Sequence, residues 1–127
     1  MGSIDGSRAN GVLVVEDEAL VRMLVVQTLE EAGFAVREAA EAQGALEVLR
    51  NDDAIRLMIT DVGLPGLNGR RLADAARVER PDVKVLFMTG YADSALLEHV
   101  LPDGFGLITK PFDLDDLAAQ AQALLAA

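Results

Sequence analysis

The stretch Leu57-Met58-Ile59-Thr60-Asp61 decides how this chain is read. Three apolar residues and a Thr lead into a carboxylate, and Val62-Gly63-Leu64-Pro65-Gly66 follows with the make-up of a loop. A buried strand that delivers one Asp to its C-terminal tip is a common way to place chemistry in an α/β fold. Taken alone, the same residues read equally well as an Asp that merely starts a turn. The other strands must decide.

Upstream, Val12-Leu13-Val14-Val15 is a continuous aliphatic run that ends in the acids Glu16-Asp17-Glu18. Strands buried on both faces look like this. Helical spacing covers Ala19 to Glu31, with Leu20, Met23, Leu24 and Gln27 on one side and Val26 and Leu29 beside them; Gly33 is placed to cap it. Phe34 to Arg37 reads as a second strand. Glu41 to Arg50 reads as a helix with Ala42, Ala45, Leu46 and Leu49 inward.

Downstream, a helix is expected over Gly69 to Arg80, with Leu72, Ala73, Ala76 and Val78 inward and Pro81-Asp82 as its stop. Val83 to Met88 is a fourth strand that halts at Thr89-Gly90. Ser94 to Val100 makes a short helix, broken by Pro102-Asp103-Gly104. Phe105 to Thr109 is a fifth strand that ends at Lys110-Pro111. Leu114 to Ala127 closes the chain as a helix, and Asp113, Asp115 and Asp116 lie where its dipole favours acids. Met23, Met58 and Met88 fall at core spacing. Residues 1–10 are aperiodic and are expected to be a disordered leader or tag remnant; 11–127 form the domain.

Five strand–helix units in alternation predict an α/β fold: a doubly wound parallel sheet with helices on both faces. Right-handed crossovers bring every strand's C-terminal end to one edge. Strand order 2-1-3-4-5 sets strands one and three side by side at the switch point. The residues at that edge are then Glu16 and Asp17 from strand one, Asp61 from strand three, Thr89 from strand four and Lys110 from strand five.

The bulk numbers narrow the function. The chain has 127 residues, 51% hydrophobic and 4% aromatic, enough for one domain with an aliphatic core. No cysteine is present, so disulfides, thiolate chemistry and cysteine zinc sites are excluded. Acidic residues number 21 against 11 basic, for a net charge of -10, which repels phosphate backbones and argues against direct nucleic-acid binding. No run approaches the roughly 18 apolar residues of a membrane span, and no signal pattern opens the chain, so the expected compartment is the cytoplasm.

Clustered carboxylates repel one another unless a cation compensates, and an all-oxygen set suits Mg²⁺. A lone cation needs no lysine. Lys110 and the Thr89 hydroxyl add donors, as a site for an anion on the metal requires. A phosphoryl group on Asp61 fits all of this, since Asp is a known nucleophile in phosphoryl transfer. A Walker-A loop and a GxGxxG run are both missing, so the donor is expected to be another protein or a small phosphodonor rather than bound ATP.

These residues resemble the receiver (response regulator) domain of two-component signalling. Val12 to Glu18 looks like its first strand and acidic pair, and Asp61 with Leu64-Pro65-Gly66 and Gly69 like the phosphoacceptor and its loop. Phe87-Met88-Thr89-Gly90 matches the switch position at Thr89, and Lys110-Pro111-Phe112 matches the family's lysine and the usual cis peptide. The resemblance runs from residue 11 to about 125 and implies a flavodoxin-like (βα)5 fold. It implies that Glu16, Asp17, Asp61 and the Gly63 carbonyl hold Mg²⁺. It also implies a phosphoryl donor in a sensor histidine kinase or histidine phosphotransfer domain, and self-dephosphorylation by an in-line water.

Two positions depart from the family pattern. Leu107 stands where an aromatic switch residue is usual, three before the lysine. The Thr89-Gly90-Tyr91 run instead resembles a subgroup found in single-domain regulators and hybrid-kinase receivers, which shifts the switch to Tyr91 or the loop Gly90 to Ser94; a plain loop aromatic is the other reading of Tyr91. The last helix lacks the charges of dimerising DNA-binding relatives, so the chain is expected to be a monomer or weak homodimer, and that helix's aliphatic face is either core or docking surface. His99 reads as a surface residue and Arg70-Arg71 as a solvated pair. The competing functions are the excised receiver of a hybrid kinase, a Mg²⁺-dependent phosphohydrolase and a non-catalytic scaffold. A hydrolase needs an acid two residues past its nucleophile, where this chain has Gly63.

Overall fold

In the computed structural model, residues 11–64, 68–90 and 103–126 are described. The aliphatic runs form β1 (Gly11–Val15), β3 (Ile55–Asp61) and β4 (Lys84–Thr89), with β2 (Ala35–Ala39) and β5 (Phe105–Thr109) outside them. Every pairing is parallel and the order is β2-β1-β3-β4-β5. The helices are α1 (Ala19–Glu31), α2 (Ala42–Asn51), α3 (Gly69–Glu79) and the closing helix α4 (Leu114–Ala126). The short helix expected over Ser94 to Val100, with His99, lies outside the described residues.

Alternation along each strand feeds two cores. Leu13, Val15, Met58, Val85 and Phe87 meet Ala42, Ala45 and Leu49 of α2 and Leu72, Ala73 and Ala76 of α3. Val12, Val14, Leu57, Ile59, Leu86 and Met88 meet Val25 and Leu29 of α1 and Leu117 and Ala121 of α4. Because both faces of the central strands are covered, they carry no polar alternation. β2 lies at an edge, half open to solvent, which is why its sequence is mixed and its boundary sits later than the run Phe34 to Arg37 suggests.

In α3 the expected inward residues Leu72, Ala73 and Ala76 are buried and only Val78 departs, whereas α1 turns a largely different face to the sheet. In α1, Leu20, Met23 and Leu24 are 65%, 55% and 40% exposed; Leu29, named by the spacing, is buried, and Val25, which the spacing does not name, is buried with it. α1 is apolar nearly all round, so periodicity alone does not choose its inner face. Met58 and Met88 are core residues as expected, but Met23 is not, since it lies two positions, roughly 200° around the helix, from Val25. Val78 is 83% exposed for the same reason, two positions beyond buried Ala76.

α1 ends in a Schellman turn. Gly33 takes φ +100°, its N–H donates to Glu30 O at 3.0 Å, and the Phe34 N–H donates to Leu29 O at 3.1 Å. Phe34 and Leu29 then pack in the same core, the apolar contact that accompanies this cap.

Arg80 ties α3 to the turn that launches β3. Its guanidinium donates to the carbonyls of Asp52 (3.2 Å), Asp53 (3.3 Å) and Ile55 (2.8 Å). A charged donor satisfying carbonyls in a half-buried turn is worth about 1.5–3 kcal/mol. Arg80→Ala is expected to lower unfolding free energy in urea by about that amount, and Arg80→Lys to recover only part of it, because an ammonium lacks the fork. No change in the urea midpoint of Arg80→Ala would show the clasp to be ornamental.

Candidate functional site

The fold brings Glu16, Asp17 and Asp61 together at the sheet's C-terminal edge. One oxygen from each lies within 4.8 Å of the others. β1 and β3 are neighbours, with Val15 in register with Thr60, so the residues just past each strand end face one another. Glu16 is fully buried, Asp61 half-buried and Asp17 exposed. Each like-charge pair at that separation costs between about 1 kcal/mol in water and about 3 kcal/mol at an effective dielectric of about 20. That repulsion disfavours the fully ionised cluster unless positive charge lies beside it.

Lys110 supplies part of it. Its Nζ lies 3.0 Å from Asp61 Oδ2 and 3.4 Å from Glu16 Oε1. Burial lowers the tendency of Lys110 to stay protonated, but its hydrogen bond to Asp61 and the charges of Asp61 and Glu16 outweigh that, and its pKa rises above the ordinary value. The pKa of Glu16 is also raised. Burial is the main cause and the Asp61 charge adds to it, against the Glu18 N–H and Lys110, which favour the anion. One ammonium does not balance three acids. An all-carboxylate set with two members open to solvent is the donor set of a hard divalent cation.

The backbone holds each member in place. The Glu18 N–H donates to Glu16 Oε2 at 3.1 Å, and the Gly63 N–H donates to Asp61 Oδ1 at 3.1 Å. Asp61 thus has one oxygen on an amide and the other on an ammonium. Gly63 meets Asp61 through this N–H; a role for its carbonyl is a separate matter. The Lys110 N–H donates to the Thr89 carbonyl at 2.7 Å, and Lys110-Pro111 is cis. Thr89 is buried, and its hydroxyl donates to the Gly90 carbonyl at 3.0 Å.

Gly69, at the start of α3, approaches the site from below. A Cβ there would collide with the Asp61 carbonyl and lie 2.8 Å from the Val62 Cα. Its N–H donates to Val62 O at 2.9 Å, closing the loop after Asp61. Asn68 caps the same helix by accepting from the Arg71 N–H at 2.9 Å. The close packing of Gly69 under Asp61 is a feature that spacing alone could not reveal.

Leu107 is half-buried on β5, in register with Phe87. The aromatic of β5 is Phe105, at the far end of the strand. It packs on Phe87 with ring centres 5.8 Å apart, and the Arg77 guanidinium sits 4.6 Å from its centre. Tyr91 lies outside the described residues, as do Pro65 and Gly66. Arg22 was not legible as a site residue, yet it donates to the Glu16 carbonyl at 2.7 Å. Its only sequence signal is an arginine one turn after the acidic run.

Comparison with known proteins agrees with this geometry. The sequence signature of the response regulator receiver domain matches residues 12–122. The sensor kinase CckA of Brucella abortus is 37% identical over 123 residues, which are 95% of this chain and 13% of that protein. The response regulator receiver protein CpdR of the same organism is 33% identical over 117 residues, 91% of this chain and 97% of that one. The chain therefore spans a small part of one relative and nearly all of another. The crystal structure of the receiver domain from the hybrid histidine kinase CckA superposes with a TM-score of 0.77 at 30% identity, covering 91% of this chain and 98% of that one. With five parallel strands in the order β2-β1-β3-β4-β5 and acids at the tips of β1 and β3, the chain belongs to the response regulator receiver family, the phosphoacceptor signalling domains of two-component systems.

Proposed function

We propose that Asp61 is the phosphoacceptor, that Glu16, Asp17, Asp61 and the Gly63 carbonyl hold Mg²⁺, and that Lys110 and Thr89 serve the transferred group. The observation that carries this reading is the three-acid cluster with one ammonium shared between Asp61 and Glu16. The donor is a phosphohistidine in a sensor histidine kinase or a histidine phosphotransfer domain. An Asp61 oxygen bonds phosphorus as the P–N bond breaks, and the electron pair returns to the imidazole nitrogen. Bound Mg²⁺ supplies positive charge beside the phosphoryl oxygens. Lys110, already 3.0 Å from Asp61, pairs with an oxygen of the new group. The Thr89 hydroxyl leaves the Gly90 carbonyl for another phosphoryl oxygen, and that exchange alters the surface a partner reads. Water attacking phosphorus in line breaks the P–O bond to Asp61, which releases inorganic phosphate and returns the free carboxylate.

A surface for the donor adjoins the site. Glu18 and Lys110 border a groove lined by Val21, Leu24, Pro111, Phe112 and Leu114. Leu24, 40% exposed, is the accessible α1 residue in that lining. An apolar groove ending at Lys110, which is 3.0 Å from Asp61, suits the helix that carries a donor histidine. The relatives include a free-standing regulator and a receiver joined to a kinase, and the same chemistry fits either parent. No helix of the described residues is long and apolar enough to cross a membrane.

Incubation with acetyl phosphate and Mg²⁺, followed by intact mass, should add one phosphoryl group to the wild type. Asp61→Asn, or wild type with excess chelator, should gain none; equal labelling of Asp61→Asn would overturn the assignment. Leu24→Asp is expected to slow transfer from a phosphohistidine protein at least tenfold, the size of a lost apolar anchor of about 1.4 kcal/mol, while uptake from acetyl phosphate stays as in wild type. Equal slowing with both donors would place the defect in the site rather than at the surface.

The raised pKa of Glu16 gives a sign that can be checked. From 4.5 up to its raised value the folded state holds a proton that the unfolded chain has released, so stability falls as pH rises through that window. The penalty is complete above it. In metal-free buffer Glu16→Gln should therefore melt higher than wild type near neutral pH, and the advantage should fade as pH falls towards 4.5. Added Mg²⁺ should raise the wild-type melting temperature more than that of the variant. A variant that melts lower than wild type near neutral pH would contradict the charge argument.

A further inference from the structure

We propose that Arg22 is a positioning residue for the cation site, acting through the backbone of the acidic turn; this rests on the reading of Glu16, Asp17 and Asp61 as the Mg²⁺ ligands. Arg22 lies on the first turns of α1, and its side chain is 21% exposed. Nη1 donates to the Glu16 carbonyl at 2.7 Å, and Nε donates to Glu38 Oε1 at 2.9 Å. Glu38 belongs to β2, on the far side of β1 from β3. The guanidinium therefore ties the end of β1 to the end of β2 without touching a carboxylate of the cluster.

The tie matters because of which atom it holds. The Glu16 carbonyl belongs to the peptide plane between Glu16 and Asp17. The Glu16 N–H, on the other side, donates to Ala39 O at 3.1 Å. The Arg22 N–H donates to Glu18 O at 2.9 Å, which fixes the third residue of the turn as the start of α1. With both faces of Glu16 and the head of the helix held, the Asp17 Cα has little freedom, although its side chain is exposed. Without Arg22 the Glu16–Asp17 peptide can rotate, and the Asp17 carboxylate leaves the 4.8 Å cluster. Groups one step removed from metal ligands typically contribute about 10–100-fold to metal affinity by orienting them.

A through-space account makes the opposite forecast. Arg22 is a cation near an acidic site, so its charge alone repels Mg²⁺, and removing it should tighten binding. The sign of the change in affinity separates the two.

The test is Mg²⁺ titration of the intact chain by calorimetry, for wild type, Arg22→Ala and Arg22→Lys, with acetyl phosphate uptake measured across Mg²⁺ concentrations. Positioning predicts that Arg22→Ala binds Mg²⁺ about tenfold more weakly, that it needs correspondingly more Mg²⁺ for half-maximal uptake, and that it reaches the wild-type rate at saturation. Arg22→Lys, which keeps the charge and loses the fork, should fall between the two, and it stands in for Arg22→Ala if that variant does not fold. Unchanged or tighter Mg²⁺ binding in Arg22→Ala, or in Arg22→Lys when it is the stand-in, overturns the proposal. Wild type that binds no Mg²⁺ overturns the site reading itself, and the proposal with it.

Discussion

The ammonium of Lys110, 3.0 Å from Asp61 and 3.4 Å from Glu16, is the contact on which the site depends. Three acids meet at the tips of β1 and β3, and one of them, Glu16, is fully buried. An unpaired buried carboxylate is costly, and here one lysine is divided between two of them. The compensation is incomplete by design of the topology: β5 can deliver one cation, while β1 and β3 deliver three anions. The remaining negative charge makes the edge attractive to a divalent cation and, through it, to a phosphoryl group.

The topology also links this contact to the rest of the molecule. The Lys110 N–H is bonded to the Thr89 carbonyl, and Thr89 closes β4. The backbone that carries Lys110 is thereby joined to the end of β4. Rigidity lies behind the edge: the central strands are buried on both faces, and Gly69 packs against the Asp61 backbone with no room for a side chain. Asp61 is held by its backbone, and at the end of β4 the Thr89 hydroxyl rests on the Gly90 carbonyl.

The central strands were legible because burial on both faces leaves uninterrupted aliphatic runs, as in Val12 to Val15 and Val83 to Met88, short enough and closely enough bounded by loops to read as strands. Topology then placed Glu16, Asp17, Asp61, Thr89 and Lys110 at one edge, and the structure finds the three acids and the lysine in contact there. What stayed hidden had physical reasons. The inner face of α1 was only partly legible because its apolar residues run all round it: the spacing names Leu29, but the sheet, not the periodicity, selects Val25 beside it. Val78 looked like core at the fraying end of an apolar stripe and points outward. The arginine clasps of Arg22 and Arg80 escaped because both work on backbone carbonyls, which leave no mark in a sequence. The Leu107 departure was visible, but not that β5 places its aromatic, Phe105, against Phe87 and Arg77 instead.

The account stands on Asp61 being the residue that carries the phosphoryl group, and an acyl phosphate can be located chemically. Borohydride reduces an aspartyl phosphate to homoserine, a permanent mark at the modified position. After treatment with acetyl phosphate and Mg²⁺, reduction and proteolysis, peptide mass spectrometry should find homoserine at position 61 and unmodified acids at 16 and 17. Homoserine at position 17, or a reduced residue elsewhere with position 61 intact, would contradict the account.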